Sequence, residues 1–239
     1  MTSVNNGAII GVYYAKRWWL LFIMKNLYLI RHGRQNSTLC NVDVELDAAG
    51  RRQAHLLGRR LQSYSICRII TSDLLRAKET GDIVNSYLHL PVIREEGLRE
   101  INFGALTGHT NAYIKEHFGD FLYEQQRRKT DISYPEGECG ADVVKRAYPV
   151  LCQLAEGIDE NIAIVSHGGV IRSIVSHIVN AGPENKLLFG LDLENTSITH
   201  LKYDSQMKRF YLERFNDYGH LEQEPELLRR NWKQSLNEN

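Results

Sequence analysis

Two runs of residues, NLYLIRHG (26–33) and NIAIVSHGG (161–169), constrain this chain more than any other feature. Each is a short, nearly unbroken apolar stretch, the pattern of a strand covered on both faces rather than one facing water. Each then stops at a histidine followed directly by glycine. In the first run Arg31 precedes His32 with no polar transition. A guanidinium at the end of a buried strand is costly without an anionic partner. Something negative is therefore expected there, either another side chain or a ligand.

Further strand-like segments fall at 68–72, 91–94, 196–203 and 209–215, the last two close enough for an antiparallel hairpin. Helical spacing of apolar residues marks 47–64, 74–88, 139–156 and 169–180, and 110–129 reads as a polar helical insertion. This alternation predicts an α/β fold, a three-layer α/β/α sandwich with a mostly parallel sheet and one antiparallel edge hairpin. Ligands of such sheets bind beyond the carboxyl ends of the strands. Arg31-His32, Thr71-Ser72 and Ser166-His167 all end strands, so they are expected to converge on one edge. Gly33 and Gly168-Gly169 let the backbone turn sharply there, and a helix starting near Gly169 directs free N–H groups toward an anion.

Charge narrows the function. Lys plus Arg and Asp plus Glu both number 29 in 239 residues. A general nucleic-acid binder would need a basic excess, so any anion site must be local. The four cysteines, Cys40, Cys67, Cys139 and Cys152, form no CxxC pair, which fits a reduced, cytoplasmic protein. Residues 1–23 read as an N-terminal extension. Their apolar stretch AIIGVYYAKRWWLLFIM is split by Lys16-Arg17, so neither half reaches the roughly 20 apolar residues that span a bilayer. Charges before the apolar region and a small-residue cleavage site after it, the marks of a signal peptide, are missing. An upstream start codon is the preferred reading and a peripheral anchor the minority one, with no stable membrane insertion expected. Residues 222–239 read as a helical tail that packs on the domain or on a second subunit, which leaves a homodimer open.

LIRHG, TSDLLRAKET, LREINFGALTG and AIVSHGGVIRSIV occur in that order on strand ends and the loops after them, and FNDYGHL (215–221) follows late. Together they resemble the histidine phosphatase superfamily, the phosphoglycerate mutase-like proteins, over residues 24–221, and most closely its small phosphatase branch. The resemblance implies that His32 is the nucleophile and carries a transient phosphohistidine. It implies that Arg31, Arg76 and His167, with Gly168, bind the phosphoryl group, and that Glu100 is the general acid. Taken singly, Arg76 could be an exposed helix arginine, His167 a structural residue, and Glu100 a partner of Arg99. Asn36, Ser37 and Asn41 compete for a further phosphate contact, with Asn36 and Ser37 nearest in sequence.

The chain also departs from the family pattern. Arg34 stands where an acidic or small polar residue is usual; it either recognises a second acidic group or pairs with Asp43 or Glu45. Cys139 replaces the usual serine in PEGEC, where it either caps a helix or has a lowered thiol pKa. The short span from Glu100 to His167 favours net hydrolysis over mutase chemistry, with Tyr113, Phe118, Phe121 and Tyr123 available to a modest lid. The expectation is a phosphoric monoester hydrolase acting on a small soluble ester, with no cofactor and no metal. α-Ribazole phosphate, sugar phosphates and 3-phosphoglycerate fit equally. The alternatives are phosphoglycerate mutase-type transfer and an inactive phospholigand-binding module.

Overall fold

Alternate residues of the first strand enter different cores. In β1 (Met24–Arg31), Leu27 and Leu29 pack on one face of the sheet, while Tyr28 and Ile30 pack on the other. A strand buried on both faces must be apolar throughout, which is why this run shows no alternation. The computed structural model describes residues 24–231. The elements are β1, α1 (Ala48–Leu61), β2 (Arg68–Thr71), α2 (Leu75–Leu88), β3 (Val92–Arg94), α3 (Asn111–His117), α4 (Gly119–Arg127), α5 (Gly140–Glu156), β4 (Asn161–Ser166), α6 (Gly168–Ile178), β5 (Ile198–Asp204) and β6 (Arg209–Asp217). Short 3₁₀ turns lie between several of them.

The sheet order is β3-β2-β4-β1-β5-β6. The first four strands in that order are mutually parallel, β5 runs antiparallel to β1, and β6 returns beside it as the edge hairpin. Leu57 and Leu61 of α1 and Ala77 and Val84 of α2 cover one face. Val143, Ala147 and Leu151 of α5 and Ile171, Ile174 and Val175 of α6 cover the other. The three layers expected from the alternating pattern are present. β1 and β4 are central neighbours, so both His-Gly strand ends emerge side by side.

Several boundaries moved for local reasons. The expected helix 110–129 breaks at Phe118 into α3 and α4. β5 begins at Ile198 instead of 196, because Thr196 has a left-handed backbone (φ 59°) and bonds its N–H to the Arg31 carbonyl. The expected C-terminal helix starts as a 3₁₀ turn at Pro225–Leu227. Leu227 and Leu228 then pack with Leu221 against Ala49 and Leu56, so this part of the tail docks on the domain. The expected extension, residues 1–23, and the tail residues 232–239 lie outside the described residues. Among the described residues, no helix is long and apolar enough to cross a membrane.

Helix α1 is capped by Asp47, whose carboxylate accepts from the Gly50 N–H at 2.7 Å. Its first turn lies tight against the loop after β1, and a Cβ on Gly50 would sit 2.1 Å from the Arg34 carbonyl oxygen. Because that obstacle is backbone, the helix and loop must separate. Gly50→Ala is expected to cost about 1–3 kcal/mol or more, as overpacking does, read as a lowered urea midpoint with an unchanged slope.

Candidate active site

The β1–β4 ladder pairs Arg31 with Ser166, and the His32 N–H donates to the Ser166 carbonyl at 3.0 Å. The next residue on each strand is therefore a histidine on the same edge. The rings of His32 and His167 lie 5.0 Å apart between centroids, tilted by 57°, and both are buried. His32 Nδ1 faces the Gly33 carbonyl oxygen at 2.7 Å. A carbonyl only accepts, so the hydrogen-bond network assigns the proton to Nδ1 and leaves a lone pair on Nε2. Arg76 Nε donates to that lone pair at 3.2 Å. Burial, then the neighbouring Arg76, His167 and Arg31, hold His32 well below the ordinary histidine range, so the ring is neutral. Burial followed by Arg76 and Arg31 does the same to His167. His167 Nε2 meets the Ser72 hydroxyl at 2.9 Å, and its buried Nδ1 has no partner among the described residues.

Arg76 comes from the first turn of α2, yet it is only 2% exposed. Its two terminal nitrogens donate to Asn41 Oδ1 (2.9 Å) and the Val42 carbonyl (3.1 Å). Thr80, one turn on, accepts from the Gly33 N–H at 3.0 Å and donates to the Arg76 carbonyl at 2.7 Å, which ties α2 to the His32 loop. Arg31 donates to the Leu193 carbonyl, while its buried Nε has no partner among the described residues. Burial and then Arg229 lower the Arg31 pKa, although Glu100 opposes them. Phosphate oxygens are the acceptors that such donors suit.

Glu100 lies on the loop after the 3₁₀ turn Glu96–Leu98. Its carboxylate accepts from the Gly169 N–H at 3.0 and 3.2 Å and from the Ile101 N–H at 2.8 Å. It thus occupies the start of α6, where negative charge is favoured, and uses one N–H that was expected to serve an external anion. Glycine is needed opposite it, since a Cβ on Gly169 would stand 2.5 Å from Glu100 Oε1. Arg99 pairs with Asp73 instead, which leaves Glu100 to the site. Arg146 of α5 anchors this loop through the carbonyls of Gly97 (2.9 Å), Arg99 (2.8 Å) and Glu100 (3.1 Å), and its other bonds go to Glu138.

A cavity of about 670 Å³ opens beside His32, lined in part by Arg31, Asn36, Ser37 and Asn41. A second, of about 250 Å³, lies on the Glu100 side with Phe103, Tyr134, Gly168 and Arg172. Arg31 and Arg229 line both. Asn36 and Ser37 therefore border the open space, while Asn41 is the residue bonded to Arg76. Arg34 pairs with Asp47, the α1 cap, rather than with Asp43 or Glu45. Cys139 does cap α5; burial raises its thiol pKa, and the thiol donates to Asp142 at 3.1 Å. Of the four aromatics considered for a lid, none lines either cavity, and Phe118 and Phe121 pack on the core. Among the described residues, no group of three or more His, Cys, Asp or Glu could hold a metal ion.

Several neighbours of the site lie outside the sequence motifs, three of them in the last part of the chain. Asn195 Nδ2 donates to the His32 carbonyl at 2.8 Å, Thr196 bonds the Arg31 carbonyl at 2.8 Å, and Arg229 reaches in from the tail. Asn195 sits just before the expected strand 196–203 and Thr196 at its first position, places where polar residues carry no particular signal. Arg229 lies in a charged stretch of the tail that has no motif.

Two buried strand-end histidines, the partly buried Arg31 and the buried Arg76 lie together beside an open cavity, and the chain belongs to the histidine phosphatase superfamily (branch 1), whose family model matches residues 27–218. An uncharacterised phosphatase, PhoE, of Bacillus subtilis is 28% identical over 83% of this chain and 97% of its own length. A probable phosphoglycerate mutase, GpmB, of Yersinia enterocolitica is 30% identical over 83% and 96%. Among solved structures, a mycobacterial glucosyl-3-phosphoglycerate phosphatase in complex with inorganic phosphate superposes with a TM-score of 0.74 at 26% identity, covering 82% of this chain and 99% of that one.

The two neutral imidazoles predict acid lability. In the unfolded chain each takes up a proton below about pH 6.5, whereas the folded chain resists until its depressed pKa is reached. The unfolded state then binds more protons, so stability is lost as the pH is lowered, by up to about 1.4 kcal/mol per unit for each group. Urea titrations between pH 7 and 5 should show this slope, and His167→Gln should make it shallower.

Proposed function

We propose that this chain is a phosphomonoesterase that hydrolyses a small phosphate ester through a phosphohistidine on His32. The observation that carries the reading is the Nε2 lone pair, freed by the Nδ1–Gly33 bond and lying beside the Arg76 guanidinium. The unpartnered Arg31 Nε and His167 Nδ1 in the same buried cluster support it. In the first step Nε2 attacks phosphorus, the P–O ester bond breaks, and Glu100 gives its proton to the leaving alkoxide. In the second, water attacks the phosphohistidine, its proton passes to Glu100, and inorganic phosphate leaves. Splitting one displacement into two lets a single imidazole act first as nucleophile and then as leaving group. Arg31, Arg76 and His167 stabilise the charge on the phosphoryl oxygens, a contribution of roughly 10²–10³ in rate for each such donor.

Phosphoglycerate mutase-type transfer is the second reading, favoured by the 30% identity to the Yersinia relative. Against it stand the two short helices α3 and α4, which are all that the insertion supplies, and the cavity that opens beside His32. Both features support access of water to a phosphohistidine.

Turnover of p-nitrophenyl phosphate in excess chelator tests the proposal. Wild type should hydrolyse it, and radiolabelled phosphate should be trapped in an acid-labile adduct on His32. His32→Ala should lose at least about 10³-fold and the adduct, as removal of a nucleophile does. Glu100→Gln should lose about 10²–10⁴ in hydrolysis of poor leaving groups. No turnover by wild type would leave a phosphoester-binding module, and 3- to 2-phosphoglycerate exchange that required a bisphosphate primer would establish the mutase.

A further inference from the structure

The FNDYGHL stretch gives Phe215 and Leu221 to the apolar packing, but its polar residues are not used by the chemistry above. They instead bond to the segment before β5. Asn216, itself left-handed (φ 54°), accepts from the Glu194 N–H at 2.8 Å and donates to the Asp192 carbonyl at 3.1 Å. Asp217 takes the Arg60 guanidinium on both oxygens, at 2.9 and 2.6 Å. A third bond leads from Arg60 Nη1 to His220 Nδ1 at 3.3 Å.

That bond sets the direction of all that follow. A guanidinium only donates, so Nδ1 of His220 accepts and its proton is on Nε2. Burial, followed by the Arg60 charge, pushes His220 down to about 4, which keeps the ring neutral as this pattern requires. Nε2–H then donates to the Thr196 hydroxyl at 3.1 Å, which donates in turn to the Asn195 carbonyl at 2.7 Å. The Asn195 amide donates to the His32 carbonyl at 2.8 Å, and the Thr196 N–H to the Arg31 carbonyl at 2.8 Å. Thr196 keeps its left-handed backbone, unfavourable for a β-branched residue, where these bonds converge.

We infer that His220 is a positioning residue: it relays a one-way chain of hydrogen bonds from the Asp217–Arg60 pair through the Thr196 hydroxyl and the Asn195–Thr196 peptide to the Arg31 carbonyl, and so holds in place the segment whose Asn195 side chain bonds the His32 carbonyl. The link to catalysis rests on the proposed role of His32, whereas the chain itself does not. Without His220, the strand end loses its lateral support, His32 moves relative to Arg76, and the ring is less desolvated.

Kinetics on the full chain test the consequence. His220→Ala should lower kcat/KM for p-nitrophenyl phosphate at least tenfold and move its acid limb up toward the ordinary histidine range. His220→Gln, whose amide N–H can still reach Thr196, should recover a third or more of the wild-type value. Leu151→Ala, a cavity in the fully buried middle of α5, should destabilise the fold and leave the acid limb in place. A His220→Ala profile like that of wild type, or a glutamine variant no better than alanine, would overturn the inference. Imidazole ¹⁵N shifts supply a readout that needs no turnover: the proton of His220 should lie on Nε2, and the His32 ring signals should shift in His220→Ala. A proton on His220 Nδ1 would sink the relay even in an active enzyme. Absence of wild-type turnover would sink the proposed function and leave the relay to the ¹⁵N result.

Discussion

Two guanidiniums beside the strand ends, Arg76 almost out of water and Arg31 partly buried, are the arrangement on which the rest of this molecule turns. Arg31 and Arg76 keep their charge in a place where charge is unwelcome, and their surroundings are organised to make that tolerable. Arg76 gives its terminal donors to Asn41 and Val42, and Arg31 gives one to Leu193. The histidines between them respond by staying neutral. A ring that cannot afford a proton keeps an electron pair, which is what attack on phosphorus needs. The same electrostatic cost therefore links the cationic character of the crevice to the reactivity proposed for His32.

Support for this crevice comes from several directions. α2 is stitched to the His32 loop through Thr80, α1 presses on that loop with a bare glycine, and Arg146 pins the Glu100 segment from the far side. The carboxylate of Glu100 is itself seated on the first turn of α6. Each contact joins a different element to one short stretch of chain, so the geometry does not depend on any single loop.

The legible parts of this protein were those governed by repetition or by cost. Continuous apolar runs marked the doubly covered strands, helical spacing marked the layers, and arginine beside a buried strand marked the crevice. The order of motifs singled out His32, Arg76, Glu100 and His167, and the fold brings His32, Arg76 and His167 into one cluster, with Glu100 beside Gly169 at the start of α6. What stayed hidden was set by contacts between residues distant in sequence. Asn41, not its neighbours Asn36 and Ser37, bonds Arg76, because the loop folds back over α2. Arg34 found the cap residue Asp47 rather than a nearer acid, since helix α1 begins directly beneath it. Thr196 looked like the start of a strand, and only the need of the Arg31 carbonyl for a donor explains its turn.

The spacing of the two histidines is written in the hydrogen-bonded ladder between β1 and β4, where Arg31 stands opposite Ser166. Side-chain repacking cannot alter that register gradually; slipping it by one residue would turn every apolar group of the strand to the wrong layer. Most of the residues that border the open cavities belong instead to connecting segments, which tolerate replacement far better. Evolution on this scaffold is thus free to revise what borders the crevice while inheriting the placement of the two histidines intact.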